Sequence, residues 1–311
     1  VVEAPDSMLD TTQWKPLKEG KWECRDGPMC SNWDPYNVLP TLKDKAVEYV
    51  KASANRPAPF FLYLSFPCPH APIIPNDEFD GASGAGPYGD LVYQMDWICG
   101  EVLKTLEATG QAENTMVIFT SDNGAEKYAY TRDKKFDHWS SGPFRGLKRD
   151  IYEGGHHVPF ILRWPGVVPG GQVSHELISQ IDIMRTLAHL LNVELAEGDA
   201  IDSVNQLSVL TENAASDRHV HVHNTKAGHF AVRKGDWLLI DDSTGYVSAV
   251  DPEWERKYGY NSEHRESVEL YNMAEDIGQH TNLAAENEQK VKELQQELKK
   301  IQEAGGICNE E

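Results

Sequence analysis

Two short apolar runs that bracket a long polar loop constrain this sequence more than any other feature. The first run covers residues 116–119 and leads into Thr120-Ser121-Asp122-Asn123-Gly124, and the second covers residues 158–164. Continuous apolar runs of this length are typical of strands buried on both faces of a sheet, and α/β enzymes bind ligands beyond the carboxyl ends of such strands. The sequence therefore predicts two core strands, with a loop between them that carries carboxylate, amide and lysine side chains.

The Asp-Asn-Gly turn after the first run is a candidate metal site. Asp122 and Asn123 present adjacent oxygen donors, which suit a hard cation such as Ca²⁺, and Gly124 lets the backbone turn away. An Asx turn, in which Asp122 only bonds its own backbone, explains the same three residues, since Asp-Asn-Gly is a common turn. The residues alone leave both interpretations open.

A lysine follows in the same loop. Gly146-Leu147-Lys148 places an ammonium group in a glycine-containing segment that leads to Glu153-Gly154-Gly155. A lysine in this setting can hold an anion as a compact positive charge, although a solvated surface lysine is the commoner case. His138 and Arg145, which lie near Lys148 in the sequence, are further candidates for contact with a substrate.

A histidine follows an earlier apolar run. Residues 59–66 are rich in aromatic side chains and predict a core strand, which ends in Pro67-Cys68-Pro69-His70-Ala71-Pro72. A histidine between prolines has a stiff backbone, so His70 is a candidate acid, base or anion-binding group. An amphipathic helix over residues 88–109 comes next, and this order implies a right-handed crossover and a largely parallel sheet. We therefore expect His70 and Asp122 at the same edge of that sheet.

The rest of the chain predicts a smaller layer beside an α/β core. Strand structure is expected over residues 219–223, over 230–240 with a turn at Lys234-Gly235-Asp236, and over 268–273. An amphipathic helix over 284–304 follows, and together these elements predict a small antiparallel sheet covered by a helix. The predicted fold class is α/β, with a largely parallel central sheet flanked by helices. We divide the chain into residues 1–210, part of the α/β domain, and residues 211–311, a small α+β subdomain.

Two local patterns lie near that boundary, a helix and a row of alternating histidines. A helix over residues 180–191 is expected to pack four apolar side chains into the core: Ile181, Met184, Leu187 and Leu190. His219, His221 and His223 alternate along a predicted strand, which could suggest a metal site. Alternation alone also places three such side chains on one face, and this explanation is favoured.

Composition narrows the classes of partner. The chain has 311 residues, 40% of them hydrophobic, and its net charge of -20 argues against nucleic acid or an anionic membrane as the main partner. No apolar run approaches the roughly 20 residues of a membrane span. Because the chain starts with Val1 and not with methionine, we expect a processed or truncated product.

The cysteines do not indicate a disulfide framework. There are five, an odd number, and no Cys-x-x-Cys pair suggests zinc. Cys24 and Cys30 could close a small loop. Free thiols are the favoured interpretation, with Cys68 and Cys99 acting as small hydrophobic side chains.

Taken together, several motifs resemble those of the sulfatases of the alkaline phosphatase superfamily. They occur in the order of that family and span roughly residues 60 to 290. The matching segments are Pro69-His70-Ala71-Pro72, the turn from Thr120 to Gly124, Gly142 to Lys148 with Glu153-Gly154-Gly155, Val158-Pro159, Trp164-Pro165-Gly166, Val232 to Trp237, and Glu269 to Asn272.

The resemblance implies hydrolysis of a sulfate ester at a calcium site, with magnesium less favoured, by a formylglycine nucleophile. By position, Asp122 and Asn123 resemble the metal ligands, and Lys148 resembles the lysine that holds a sulfate oxygen. His70 resembles the histidine near the bridging ester oxygen. The family's habits also imply a sulfated carbohydrate or aryl sulfate as substrate, and a periplasmic, secreted or lysosomal location.

The chain departs from the family pattern at two places. The Cys/Ser-x-Pro/Ala-x-Arg motif that yields formylglycine is absent, so the chain resembles the C-terminal portion of a sulfatase, and we expect it to be inactive in isolation. A missing N-terminal segment could remain bound as a separate chain. The alternatives are a fragment that only binds sulfated glycans, and a phosphodiesterase or phosphomutase relative. His157 stands where the family usually has arginine, which puts the local pairing of a carboxylate or anion in question.

Overall fold

The computed structural model describes residues 2–3, 14–22, 28–30, 32–242, 245–247, 249–261 and 268–306. The possible Cys24–Cys30 bridge lies outside these residues, because Cys24 is not among them. Cys30, Cys68 and Cys99 are free thiols. No helix in the described ranges has the length and apolar character that crossing a membrane requires.

The described residues form helices and short strands. The strands are β1 (Val2–Glu3), β2 (Pro28–Met29), β3 (Val117–Thr120), β4 (Phe160–Arg163), β5 (Val220–Lys226), β6 (His229–Lys234), β7 (Trp237–Asp241) and β8 (Glu269–Asn272). The helices are α1 (Val38–Ser53), α2 (Gly86–Ala108), α3 (Tyr128–Phe136), α4 (Glu153–His156), α5 (Asp182–Leu190), α6 (Leu207–Glu212), α7 (Pro252–Tyr258) and α8 (Glu288–Ala304).

The chain forms two compact units, and the first comprises residues 1–115 and 131–138. Its core contains Leu39 of α1 together with Leu91 and Ile98 of α2, and Ile73 packs against them. The amphipathic helix expected over residues 88–109 is therefore confirmed, with its apolar stripe inside. The predicted division of the chain into residues 1–210 and 211–311 stays a prediction.

The strand expected over residues 59–66 does not form a ladder in the described part of the chain. Its side chains alternate between half-buried and exposed, which is the period of a strand. Phe61 and Tyr63, on the outer side, are 74% and 80% exposed. The predicted core strand is therefore not formed, because a ladder needs a neighbouring strand and no strand among the described residues pairs with this segment.

The second unit, residues 116–130 and 139–311, contains both strands that bracket the polar loop. β3 pairs with β4 from Val117 opposite Arg163 to Thr120 opposite Phe160. The two predicted strands are confirmed, but their burial on both faces is not, since β3 is half-buried and Ile161 of β4 is 60% exposed. Their ladder is antiparallel, because the intervening loop returns the chain beside β3. All ladders among the described residues are antiparallel.

The small C-terminal sheet follows the prediction closely. β5, β6, β7 and β8 pair in sequence order as a four-stranded antiparallel sheet. Because side chains alternate across a strand, Leu239 faces Leu294 and Leu298 of α8, whereas its neighbours Leu238 and Ile240 face the opposite side. On that side the sheet packs against the polar loop, through Ile151 and Tyr152. The C-terminal sheet thus supports the loop that carries Lys148.

Helix α5 has the predicted extent but not the predicted packing. Ile181 and Met184 were expected in the core, yet they are 46% and 54% exposed, whereas Asp182 and Thr186 are buried. The reason is electrostatic. The Asp182 carboxylate accepts a hydrogen bond from the Val204 N–H at 2.8 Å and forms a buried ion pair with Arg218, which turns the polar side of the helix inward. Leu187 and Leu190 are half-buried.

Candidate functional site

The turn that follows β3 is held by hydrogen bonds of its own and by Gln180, which lies just before α5. The Asn123 side-chain amide donates to the Gly124 carbonyl oxygen at 2.9 Å, and the Ser121 hydroxyl donates to the Asn123 carbonyl oxygen at 3.3 Å. Gln180 donates to the Thr120 hydroxyl at 3.0 Å and to the Ser121 carbonyl oxygen. Since the Asn123 nitrogen is used inside the turn, its side-chain oxygen remains as the group able to bind a ligand. Sequence patterns gave no sign of the role of Gln180, because it is distant along the chain.

The lysine loop lies directly against this turn. The Gly124 N–H donates to the Gly155 carbonyl oxygen at 2.9 Å, and the Lys148 N–H donates to the Ala125 carbonyl oxygen at 2.8 Å. One residue further along both segments, Arg149 donates to Glu126 at 2.8 Å. Three successive contacts therefore bring the predicted metal ligands and the predicted sulfate-binding lysine together within one compact unit.

Three glycines permit this close approach. A methyl group on Gly124 would overlap the Gly154 carbonyl oxygen, and one on Gly154 would overlap the Gly146 carbonyl oxygen. A methyl group on Gly155 would overlap the Asp150 carbonyl oxygen. The backbone of the Glu-Gly-Gly segment therefore packs directly against the backbone of both the turn and the lysine loop.

Asp150 fixes the backbone of the lysine loop through hydrogen bonds to its side chain. Its buried carboxylate accepts hydrogen bonds from the Leu147 N–H at 2.9 Å and from the Val247 N–H at 3.0 Å. The neighbouring Ile151 N–H donates to the Gly245 carbonyl oxygen at 2.8 Å. The backbone on both sides of Lys148 is consequently fixed, whereas the Lys148 ammonium has no hydrogen-bond or ion-pair partner within the described residues.

Arg145, a candidate for contact with substrate, is buried among protein groups. It donates to the Tyr246 hydroxyl at 2.8 Å, to the Tyr271 hydroxyl at 3.1 Å and to the Gln279 carbonyl oxygen at 3.0 Å. Its guanidinium also stacks 4.0 Å from the centre of the Tyr152 ring. These contacts favour a role in anchoring the lysine loop to the C-terminal sheet, and contact with a substrate stays a prediction.

His157, expected from the resemblance to stand in the place of an arginine, pairs with the buried Glu153. His157 Nδ1 lies 2.7 Å from one carboxylate oxygen of Glu153, and His156 Nε2 lies 3.6 Å from the other. Burial alone raises the pKa of Glu153, but the hydrogen bonds and charges of these two histidines outweigh it and hold that pKa well below its usual range. The His157 ring stacks on Phe144 at 4.0 Å. The carboxylate at this position therefore keeps a partner.

Two further histidines stack beneath the Glu-Gly-Gly segment. His223 Nε2 donates to the Ile151 carbonyl oxygen at 2.9 Å, and its ring lies 3.9 Å from that of His156 and 5.6 Å from that of His221. Burial lowers the pKa of His221 to about 4 and the pKa of His223 well below its usual value. Both rings are consequently neutral at neutral pH.

The donor set at the turn fits part of a calcium site. Carboxylate and amide oxygens are the ligands that Ca²⁺ takes, but it takes about six to eight of them. Asp122 is exposed and can contribute its carboxylate, and Asn123 can contribute one oxygen. The residues that the structure describes contain no group of three or more His, Cys, Asp or Glu side chains able to hold a metal. The turn thus fits two ligands of a larger coordination shell.

His70 and His138 lie in the first compact unit, whereas Asp122, Asn123 and Lys148 lie in the second. His70 is exposed, and its Nδ1 donates to the Ala71 carbonyl oxygen at 2.7 Å, which fixes the ring tautomer. His138 is half-buried just after α3. The participation of both histidines in a site with Lys148 stays a prediction.

Comparison with known proteins identifies the family. The sequence profile of the sulfatase family matches residues 13–193, more than half of the chain. The chain is 33% identical to the N-acetylgalactosamine-6-O-sulfatase of Bacteroides thetaiotaomicron over 273 residues, which cover 86% of this chain and 52% of that protein. It is 32% identical to the steryl-sulfatase of Rattus norvegicus over 246 residues, which cover 75% of this chain and 43% of that protein.

The fold agrees with this match. A solved Bacteroides thetaiotaomicron structure, from a core genetic locus for the metabolism of multiple glycosaminoglycans, superposes with a TM-score of 0.75 at 31% identity. The superposition covers 89% of this chain and 56% of the other. The chain therefore spans about half the length of the relatives it matches. On these grounds it belongs to the sulfatase family and has the α/β, alkaline phosphatase-like fold of that family.

Proposed function

We propose that this chain supplies the metal-binding turn and the anion-binding lysine of a sulfatase active site. The observation that carries the proposal is the backbone contact between the two segments, in which Gly124 bonds Gly155 and Ala125 bonds Lys148. The contact places two oxygen donors in the segment next to Lys148, whose ammonium has no hydrogen-bond or ion-pair partner among the described residues. A metal ion held by Asp122 and Asn123 and the ammonium group of Lys148 could together bind one anionic group.

The chemistry of sulfate ester cleavage matches these residues. The sulfate oxygens carry negative charge that has to be neutralised, and the alkoxide that departs has to be stabilised or protonated. Lys148 would bind a sulfate oxygen as a compact charge, and His70 would donate a proton to the departing oxygen. Asp122 and Asn123 would hold Ca²⁺, or less favourably Mg²⁺, which would supply further positive charge at the same oxygens. The formylglycine nucleophile would come from outside this sequence.

The substrate we favour is a sulfated carbohydrate. The relative with 33% identity over 86% of this chain is named for a sulfated amino sugar, N-acetylgalactosamine-6-O-sulfate. An aryl or steryl sulfate is the alternative, supported by the likeness to steryl-sulfatase. His138, and less directly Arg145, would contribute to the walls of the substrate pocket. As is typical of sulfatases, the protein would act in the periplasm, outside the cell or in a lysosome.

We further infer that the chain works only with additional sulfatase polypeptide, attached or bound as a separate chain. The exposed aromatic side of residues 59–66 and the exposed apolar side of α5 support this inference, since large uncovered apolar surfaces mark interaction sites. The isolated chain should consequently bind sulfate without turning over a sulfate ester.

The test combines intact mass, turnover and ligand binding on the purified chain. A single species of 34.9 kDa should show no hydrolysis of a panel of aryl and sugar sulfates, and robust turnover by that species would contradict the proposal. Inorganic sulfate in the presence of Ca²⁺ should bind, and Lys148→Gln should weaken binding about tenfold, the effect of removing one direct charge contact. Lys127→Gln is the matched control, because it removes an exposed lysine from the adjoining loop. Asp122→Asn should weaken Ca²⁺ binding and leave the fold intact.

Binding of sulfated glycans without catalysis is the second candidate. It is favoured by the two metal ligands that the turn provides, where calcium needs more. Under this alternative a sulfated oligosaccharide would still bind after His70→Ala, and Lys148→Gln would abolish binding regardless of Ca²⁺. Under the sulfatase proposal the parent protein would lose turnover with either substitution.

A further inference from the structure

The residue that follows Lys148 has a backbone conformation that side chains seldom adopt. Arg149 has a φ of 79°, in the left-handed region that favours glycine. A long side chain at such a φ is strained, and strain of this kind persists only where surrounding contacts hold it. The contacts around Arg149 therefore indicate what the strain accomplishes.

Two contacts hold Arg149 in place. Its Nη1 donates to both carboxylate oxygens of Glu126 at 2.8 Å, and the Thr225 hydroxyl donates to its carbonyl oxygen. Glu126 also accepts a hydrogen bond from the Lys127 N–H at 2.9 Å. The first contact joins the lysine loop to the segment after the Asp-Asn-Gly turn, and the second joins it to β5.

The Glu126 carboxylate interacts with the positive charges of both Arg149 and Lys148. Burial alone raises the pKa of Glu126, but the Lys127 hydrogen bond and Arg149 outweigh it, and the charge of Lys148 lowers this pKa further. The geometry agrees, because the Lys148 N–H bonds the carbonyl oxygen of Ala125, the residue directly before Glu126. With Arg149 on Glu126, the Lys148 ammonium stays unpaired within the described residues. Without Arg149, the carboxylate would be free to attract Lys148 instead.

We propose that Glu126 and Arg149 are positioning residues, whose ion pair fixes the Lys148 peptide against the Asp122–Asn123 turn and keeps the Glu126 carboxylate off the Lys148 ammonium. The proposal rests on the proposed function of Lys148 as the anion-binding lysine. Arg149 adopts a strained backbone because that conformation aims its guanidinium at Glu126 and leaves Lys148 directed to the ligand. It touches neither the sulfate nor the reacting atoms.

The deciding experiment titrates inorganic sulfate, with Ca²⁺ present, into the full chain and three variants. Arg149→Asn removes the guanidinium without adding strain, because asparagine tolerates left-handed backbone, and it should weaken sulfate binding about fivefold. Glu126→Gln with Arg149→Asn removes the competing carboxylate as well, and it should bind sulfate at least about twofold more tightly than Arg149→Asn, although both variants lose the ion pair that anchors the loop. Lys127→Gln, the control, should stay within about twofold.

The recovery in the double variant separates this proposal from a merely structural role. If Glu126 and Arg149 only stabilised the loop, the double variant would bind sulfate as weakly as Arg149→Asn or more weakly, and that result would overturn the proposal. Equal affinity of Arg149→Asn and the unaltered chain would overturn it as well.

Hydrogen exchange distinguishes failure of this proposal from failure of the proposed function. If the unaltered chain binds no sulfate, or Lys148→Gln binds it unchanged, the assigned role of Lys148 is wrong. The positioning of the Lys148 peptide is then judged by exchange of its N–H, which bonds the Ala125 carbonyl oxygen. Faster exchange of this N–H in Arg149→Asn than in Lys127→Gln supports the positioning role of Glu126 and Arg149. Equal exchange in the two variants contradicts it.

Discussion

At the scale of single residues, the candidate site depends on positions where no side chain fits. Gly124, Gly154 and Gly155 each lie so close to a backbone carbonyl that a methyl group would overlap it. Only Gly124 adjoins the predicted ligands directly, while the other two form the surface beneath it. The glycines of the Glu-Gly-Gly motif are therefore needed for contact between segments, and none of the three has a left-handed φ.

Alanine substitution tests this role. Gly124→Ala should lower the free energy of unfolding by about 2–4 kcal/mol, because the turn has to separate from the Gly154 carbonyl and lose its hydrogen bonds. Gly100→Ala is the control, since Gly100 lies in α2 with open space around it, and alanine there should stabilise the helix by about 0.5–1 kcal/mol. Urea denaturation of both variants measures the difference, and equal effects would rule out the close packing described for the turn.

A second prediction at this scale concerns acid stability. The pKa of His221 falls from an ordinary 6.5 to about 4 in the folded chain. Because the folded pKa is below the unfolded one, this contribution to stability is complete above pH 6.5 and is lost as the pH falls toward 4. The loss should reach about 2 kcal/mol at pH 5, and His223 adds a loss of the same sign.

Denaturation between pH 7.5 and pH 5 measures this slope. Carboxylates such as Glu153 lose stability only at lower pH, since their ordinary values lie near 4. The variant His221→Gln should flatten the profile, and an unchanged slope in that variant would show that His221 is not the group responsible.

At the scale of secondary structure elements, α5 shows that an apolar stripe does not decide which side of a helix is buried. Its periodicity predicted a core face, yet the buried Asp182 and its ion pair with Arg218 turn that face outward. The signal for this arrangement lies in Arg218, which is distant along the chain and has no pattern that marks it as a partner. Residues 59–66 were predicted as a strand for a similar local reason, whereas ladder formation depends on a neighbour.

Substitutions on the two sides of α5 should differ strongly. Asp182→Ala leaves Arg218 buried without its partner and should cost about 3–5 kcal/mol of stability. Met184→Gln changes an exposed side chain on the same helix and should stay within about 0.5 kcal/mol of the unaltered chain. Thermal or urea denaturation compares them, and a large loss in Met184→Gln would mean that the apolar face is covered in solution.

At the scale of the whole molecule, the sequence predicted more of the C-terminal sheet than of the α/β part. The sheet consists of strands joined in order, and the turns and alternation that define it are local. Asp122, Asn123 and Lys148 were proposed as site residues because family motifs are short and contiguous, and the structure shows that their segments lie side by side. The contacts that unite them, such as Gly124 with Gly155 and Glu126 with Arg149, join distant segments, and no pattern in the chain specifies them.

The glycine contacts also bear on how such a site can diversify. They involve Gly124 and the backbone between Arg145 and Gly155, and not the chain that runs between these two parts. Insertions or deletions between Lys127 and Phe144 would leave these contacts and those of Ala125 and Glu126 in place, whereas a shift of one residue at Gly124 or in the Glu-Gly-Gly segment would set a side chain where none fits. Variation in length and composition should therefore gather between Lys127 and Phe144, while the Asp-Asn-Gly turn and Lys148 keep their spacing.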